Sequence, residues 1–243
     1  MKRLFGIIGY PLTHSFSPSF FKKKLEEENI DAVYKAFEIE DIADFPKLLQ
    51  EHENLCGLSV TIPHKKTILS FLDEVDDAAT AIGAVNCIAF NNGKLKGHNT
   101  DIVGFRDSLK PLLEPHHLRA LILGTGGSSL AVQYVLKELH IPFQLVSRKK
   151  EKGLIGYEDL NENIIETHPL IINTTPLGMY PKTGVCAPIP YEQLTPQHLL
   201  FDLVYNPLET QFLHKGKTQG ATIKNGLEML HLQAEKSWEI WNW

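Results

Sequence analysis

Leu121-Ile122-Leu123-Gly124-Thr125-Gly126-Gly127-Ser128-Ser129-Leu130-Ala131 reads as a buried strand, a glycine turn and the start of a helix. A dinucleotide-binding βαβ unit needs that order, with bare backbone near the pyrophosphate and a helix N-terminus pointing at it. The match to G-x-G-x-x-G is imperfect, because Ser129 holds the last position; small Ala131 is expected to supply the close packing instead. Pro142-Phe143-Gln144-Leu145-Val146 gives the second strand at the distance such a unit requires. It runs into Ser147-Arg148-Lys149-Lys150, with no acid before Glu151. An NAD site places Asp or Glu there for the ribose 2′-hydroxyl, whereas cations suit the 2′-phosphate of NADP. Arg148 can stack on adenine and bind phosphate with Lys149 beside it, so NADP(H) is the expected cofactor. A solvated basic turn is the competing use of these residues.

Downstream, Leu170-Ile171-Ile172-Asn173-Thr174-Thr175 and Leu199-Leu200-Phe201-Asp202-Leu203-Val204-Tyr205 read as two further buried strands. Ligands of open α/β sheets bind beyond the carboxyl ends of strands, so Asn173 to Pro176 and Val204 to Pro207 are expected to face the cofactor. Asn225-Gly226 ends a last short strand. The final helix, from Leu227 onward, aligns Leu227, Leu230, Ala234, Trp238 and Trp241 as a core stripe, with Gln233 beside it. Upstream, strand and helix patterns also alternate. Strands are expected over Phe5 to Gly9, Val33 to Ile39 and Cys56 to Ile62, and helices over Ser17 to Asn29, Asp41 to His52 and His64 to Leu72. That alternation implies a mainly parallel first sheet. A hairpin from Ala84 to Gly97, turning at Asn91-Asn92-Gly93, adds antiparallel character to it. The crossover between domains is expected in the helix that Asp101 opens, ahead of the turn Pro115-His116-His117.

Three polar clusters sit where loops meet helices. In Gly57-Leu58-Ser59-Val60-Thr61-Ile62-Pro63-His64-Lys65 a lysine is expected on the first turn of a helix, where the macrodipole disfavours a cation and lowers its pKa. Such a lysine can exchange a proton with a substrate oxygen, and Pro63 fixes the turn that aims it; a solvated pair with Lys66 is the alternative. Ser15 and Ser17 lie at a helix entrance, Ser17 as N-cap and Pro18 at the first helical position, where hydroxyls and N–H groups can hold a carboxylate. Plain capping serves Ser17 equally well. In His98-Asn99-Thr100-Asp101, Asp101 opens a helix, and a capping or dipole role is open for it too.

In their order along the chain these segments resemble the shikimate dehydrogenase family. The resemblance rests on the Ser15/Ser17 loop, Ser59 to Lys65, Gly83-Ala84-Val85-Asn86, Asn99-Thr100-Asp101, Gly124-Thr125-Gly126-Gly127, Asn173-Thr174-Thr175-Pro176-Leu177-Gly178-Met179 and Asn225-Gly226-Leu227-Glu228-Met229-Leu230. It implies an α/β chain in which an N-terminal substrate domain (1–102 with 223–243) is separated by a cleft from a Rossmann-type domain with a parallel sheet (103–222). The implied activity is reversible NADPH-dependent reduction of 3-dehydroshikimate to shikimate. By the same resemblance Lys65 and Asp101 form the proton-transfer pair, Ser15 and Ser17 hold the carboxylate, and Thr61, Asn86 and Gln233 bind hydroxyls, with Tyr205 also on the substrate side. Gly124, Gly126, Gly127, Ser147, Arg148, Lys149, Thr174, Val204 and Gly226 are the expected cofactor contacts. Tyr10, Ser59 and Asn225 stand where the family commonly has Asn, Asn and Asp.

Composition narrows the field. The 243 residues are 43% hydrophobic, enough for one large or two small cores. The net charge of −5, with no basic block, opposes nucleic-acid or anionic-membrane binding. Cys56, Cys87 and Cys186 are widely spaced without C-x-x-C, which suggests a reducing compartment. Leu4 to Ile8 is too short for a signal peptide and no window approaches a membrane span, so a cytoplasmic protein is expected, as a monomer or homodimer. The eleven histidines form no H-E-x-x-H or close Cys/His set, so no metal is expected. Two rival functions remain: a dehydrogenase that also takes quinate or uses NAD, and an NADP-sensing regulator without turnover.

Overall fold

The computed structural model describes residues 2–13, 15–91, 93–149 and 153–242. Asn92, Lys150 and Glu151, which enter the readings above, lie outside them.

Cα proximity divides the chain into two units, Met1–Thr100 with Ala234–Trp243, and Asp101–Gln233. These limits differ from the expected ones by assigning 101–102 and 223–233 to the second unit. The cause is local packing. Strand β12 (Thr222–Lys224) pairs with β11 (Leu199–Asp202). The last helix, α8 (Leu227–Trp241), lies so close to α4 (Asp101–Leu109) that a Cβ on Gly104 would meet Met229 O at 2.4 Å.

In the first unit, β1 (Arg3–Gly9) lies between β2 (Ala32–Glu38) and β3 (Leu55–Val60), parallel to both. The sheet continues antiparallel through β5 (Cys87–Asn91) and β6 (Lys94–His98) and ends at β4 (Glu74–Val75). The period-2 pattern of β1 divides its side chains between two cores. Leu4 and Ile8 pack with Leu58, Val60, Ile88, Phe45 and Ile68. Phe5 packs with Phe21, Cys87, Ala89, Ala234 and Trp241. The aromatic tail covers this second face: Trp238 and Trp241 lie 5.2 and 5.3 Å from the Phe5 ring, and Trp241 Nε1 donates to Ile88 O at 3.0 Å. Gly57 is required beneath it, since an added Cβ would come within 2.4 Å of the Trp241 ring.

In the second unit, β7 (Ala120–Leu123), β8 (Phe143–Ser147), β9 (Leu154–Gly156), β10 (Leu170–Asn173), β11 and β12 form one parallel sheet in the order β12-β11-β10-β7-β8-β9. Numbered from β7, this is the 3-2-1-4-5-6 order of a Rossmann fold, with its reversal between β7 and β10. Strands β7, β10 and β11 are buried along their whole length, as continuous apolar runs in a covered parallel sheet should be.

Two local expectations are corrected. Residues 64–72 hold a 3₁₀ helix, Thr67–Phe71, instead of an α-helix, and Lys65 lies in the turn before it. One i→i+4 bond forms, from Ile68 N to His64 O at 3.0 Å, but the Lys65 carbonyl is taken by Val85 N at 2.7 Å and Leu69 N turns to Lys66 O at 3.3 Å, so the ladder does not continue. The macrodipole therefore gives no account of Lys65. Ser17 is the first residue of α1 (Ser17–Glu27) and not its cap; Phe16 holds the cap position and makes no side-chain capping bond.

Candidate functional site

Within the first unit the candidate residues gather around the carboxyl ends of β1 and β3. Thr61 N donates to Ile8 O at 3.0 Å, and Gly9 permits that approach, because an added Cβ would lie 2.4 Å from Thr61 Cγ2. Ser15 N donates to Leu12 O at 3.0 Å, which folds the loop ahead of α1. Ser17 is buried and hydrogen-bonds the Tyr34 phenol, which itself donates to Ser59 Oγ at 2.9 Å. Burial pushes the Tyr34 pKa far up, so the phenol stays a neutral donor. Sequence reasoning misses Tyr34, because its alternating strand carries no motif and its partners lie 17 or more positions away.

The turn before β5 holds the Lys65 backbone together with Asn99 and Thr100. Its Val85 N–H holds the Lys65 carbonyl, while Ala84 O accepts from Asn99 Nδ2 at 2.9 Å. Asn86 Oδ1 accepts from Thr100 N at 2.7 Å, and Asn86 Nδ2 donates to Thr100 Oγ1 at 3.0 Å. Thr100 Oγ1 also meets Ser237 Oγ at 3.1 Å. Asn86 is thus a strut for the residue before Asp101 as well as a candidate ligand. Lys65 is half-buried. The Cys87 thiol is pushed up to about 12 by burial, which leaves it a packing group and no nucleophile.

Within the second unit Asp101 is buried at the first turn of α4, where a carboxylate suits the positive helix end. Gln233, on α8, packs one turn along α4: its Cβ would be 3.1 Å from a Cβ on Gly104, and its Nε2 donates to Leu230 O at 2.9 Å.

The glycine turn occupies the sheet's reversal point. Gly124 adopts φ +104°, and a Cβ there would approach Thr174 Oγ1 at 2.9 Å and Thr175 Cγ2 at 2.8 Å, so only glycine fits. Gly126 caps α5 (Gly127–Glu138) in extended conformation, and a Cβ on Gly126 or Gly127 would meet nothing within 4 Å. No packing demand explains those two glycines; room for a phosphate at a helix N-terminus does, and in this respect the chain fits a bound dinucleotide. Ser129 is fully buried and donates to Gly126 O at 2.7 Å, closing the turn where a third glycine is usual. At the end of β8 the Ser147 hydroxyl accepts from Lys149 N at 3.1 Å, and Arg148 and Lys149 are exposed. Thr174 is pinned to Leu123 O through N and Oγ1, at 2.9 and 2.8 Å. Val204 O accepts from Gly226 N at 3.1 Å, and a Cβ on Gly226 would overlap Leu203 O. Tyr205 is half-buried, with its pKa raised by burial. Asn225 Oδ1 accepts from Leu227 N at 3.2 Å, so the amide serves at the start of α8 where the family commonly has Asp.

A cavity of about 1000 Å³ also opens in this unit, bounded by His116, Arg119, Glu162, Glu166 and His198. Arg119 and His198 precede β7 and β11, so the cavity marks the amino ends of the strands, opposite the glycine turn. Among the described residues no group of three or more His, Cys, Asp or Glu is placed to hold a metal, and no helix is long and apolar enough to cross a membrane.

Residues 7–88 match the family model described as shikimate dehydrogenase substrate binding domain. A shikimate dehydrogenase (NADP(+)) of Methanosphaera stadtmanae is 37% identical over 254 residues, covering 97% of this chain and 89% of the relative. Among solved structures, shikimate dehydrogenase from Aquifex aeolicus superposes with a TM-score of 0.88 at 36% identity, over 99% of this chain and 92% of the other. Shikimate 5-dehydrogenase of Thermus thermophilus, solved in complex with NADP(H) and shikimate, gives 0.86 at 30% identity, over 98% and 93%.

Proposed function

Because the chain belongs to the shikimate dehydrogenase family, we propose that it catalyses the reversible NADPH-dependent reduction of 3-dehydroshikimate to shikimate. The observation that carries this reading is the bracing of Lys65 and Thr100, the neighbour of Asp101, by one turn, Ala84 to Asn86. An acid–base pair acts only when both members are held, and a regulator that merely senses NADP has no need of either.

Bound NADPH supplies a hydride to the ring carbonyl carbon, and the protein must supply a proton to the oxygen. Lys65 Nζ donates that proton in reduction and accepts it in the reverse direction. Asp101 orients the ammonium and receives a substrate hydroxyl. Ser15 and Ser17 hold the carboxylate, while Thr61, Asn86 and Gln233 read the hydroxyl pattern, with Tyr205 beside them. The glycine turn with Thr174, Val204 and Gly226 receives the pyrophosphate and nicotinamide, and Ser147, Arg148 and Lys149 the 2′-phosphate.

Loss of NADPH absorbance on adding 3-dehydroshikimate tests the proposal. Turnover with NADPH, and little with NADH or quinate, is expected. Binding of NADPH without turnover would leave a sensor, and equal rates with quinate or NADH would give the broader dehydrogenase.

A further inference from the structure

Asp202 ends β11 at zero exposure, and all three of its hydrogen-bond partners are neutral donors. Asn173 Nδ2 and Val204 N reach Oδ1 at 2.9 and 3.0 Å, and Thr210 Oγ1 reaches Oδ2 at 2.6 Å. A buried carboxylate held this way is costly, and a packing role would be served by an apolar residue. What it joins explains its presence. Asn173 passes the hold to the loop after β10, its Oδ1 accepting from Thr175 Oγ1 at 2.6 Å and Thr175 N at 3.1 Å. Val204 lies in the loop after β11 and, through its carbonyl, fixes Gly226. Thr210 is the N-cap of α7 (Gln211–Thr218), where that second loop ends. Thr174, Val204 and Gly226 are therefore each within one residue or one hydrogen bond of an atom tied to this carboxylate. Ser147, Arg148 and Lys149, at the end of β8, are outside the network.

We propose that Asp202 is a positioning residue for the nicotinamide half of the cofactor site, setting the loops after β10 and β11 without acting on the adenine half. The inference rests on the NADP(H) reading above.

Isothermal titration with two probes separates the halves: NADP⁺, which spans the site, and adenosine 2′,5′-bisphosphate, which occupies only the adenine end. Asp202→Ala is expected to weaken NADP⁺ by at least about tenfold, the loss of one or two hydrogen bonds to a charged group. The bisphosphate should bind that variant within about twofold of wild type. Asp202→Asn retains the Oδ1 acceptor and should restore NADP⁺ to within about threefold. Thr210→Val, which removes one donor, should cost about threefold with NADP⁺ only, and carries the same comparison if Asp202→Ala is recovered unfolded. Equal weakening of both probes, or unchanged NADP⁺ affinity in the folded variants, overturns the proposal. A wild-type protein that ignores the bisphosphate overturns the NADP(H) reading itself, and this inference with it.

Discussion

Lys65 and Asp202 are opposite cases of how much a single residue discloses. Lys65 stands out in the sequence beside Pro63, yet the helix expected to tune it is a turn, because Val85, twenty positions on, takes its carbonyl. Its role now rests on that brace and on the family. Lys65→Ala should lower kcat by about 10²–10⁴-fold, the usual contribution of a positioned proton donor, while substrate binding survives on the serines and Gln233. Asp101→Asn should also lower kcat strongly, and the double variant should be little worse than the poorer single one if the pair acts as a unit. Steady-state kinetics with an unchanged kcat in Lys65→Ala would remove it from the chemistry. Asp202 passes unnoticed inside an apolar run, although one acid among Leu199 to Tyr205 was itself the signal. Burial pushes its pKa up to about 6, against the opposing pull of Thr210, Val204 and Asn173. The sign follows: a carboxyl whose folded pKa exceeds its unfolded value favours folding while protonated, fully below about pH 4, and that contribution is lost as pH rises through about 6. The loss is about 3 kcal/mol. Asp202→Asn should therefore be more stable than wild type by about that much near pH 8, with the difference shrinking toward pH 4, in urea denaturation. A constant difference across that range would show that Asp202 does not titrate there.

The strands that carry the cofactor half were legible because a covered parallel sheet demands unbroken apolar runs, and β7, β10 and β11 are such runs. Short helices were not. Asp41 to His52 reads as one helix but divides into a 3₁₀ turn, Ile42–Asp44, and α2 (Phe45–Glu51), because Asp41 caps Ala43 N at 2.9 Å and Pro46 restarts the helix. The end of β8 is where an element sets a specificity. It delivers Arg148 and Lys149, both exposed, just past a buried Ser147. Arg148→Asp should therefore reduce kcat/KM with NADPH far more than with NADH, since the new carboxylate repels a 2′-phosphate that NADH lacks. Equal losses with the two cofactors would move the 2′-phosphate contact elsewhere and leave Arg148 a solvated basic residue.

For the molecule as a whole, two α/β units could be read from alternation and the glycine turn, but not where the chain passes between them. The helix of residues 227–241 carries one apolar stripe, so periodicity shows a single element; only packing reveals that the division falls between Gln233 and Ala234. Its last two turns are claimed by the aromatic face of Phe5 and Phe21, and its first by Gly104 of α4. Gln233 stands at that division, and it meets Gly104 and Leu230 in the unit that also holds the glycine turn. Assignment to substrate is therefore a claim that can fail. Gln233→Ala should weaken shikimate binding by about 1–3 kcal/mol, the cost of removing one partner from a desolvated polar contact. NADP⁺ affinity, titrated without shikimate, should stay within about twofold, because Gln233 is roughly two turns beyond Gly226 along the chain and its packing neighbour is α4. A variant that keeps its shikimate affinity but binds NADP⁺ tenfold more weakly would assign Gln233 to the cofactor and leave the substrate hydroxyls to Thr61 and Asn86.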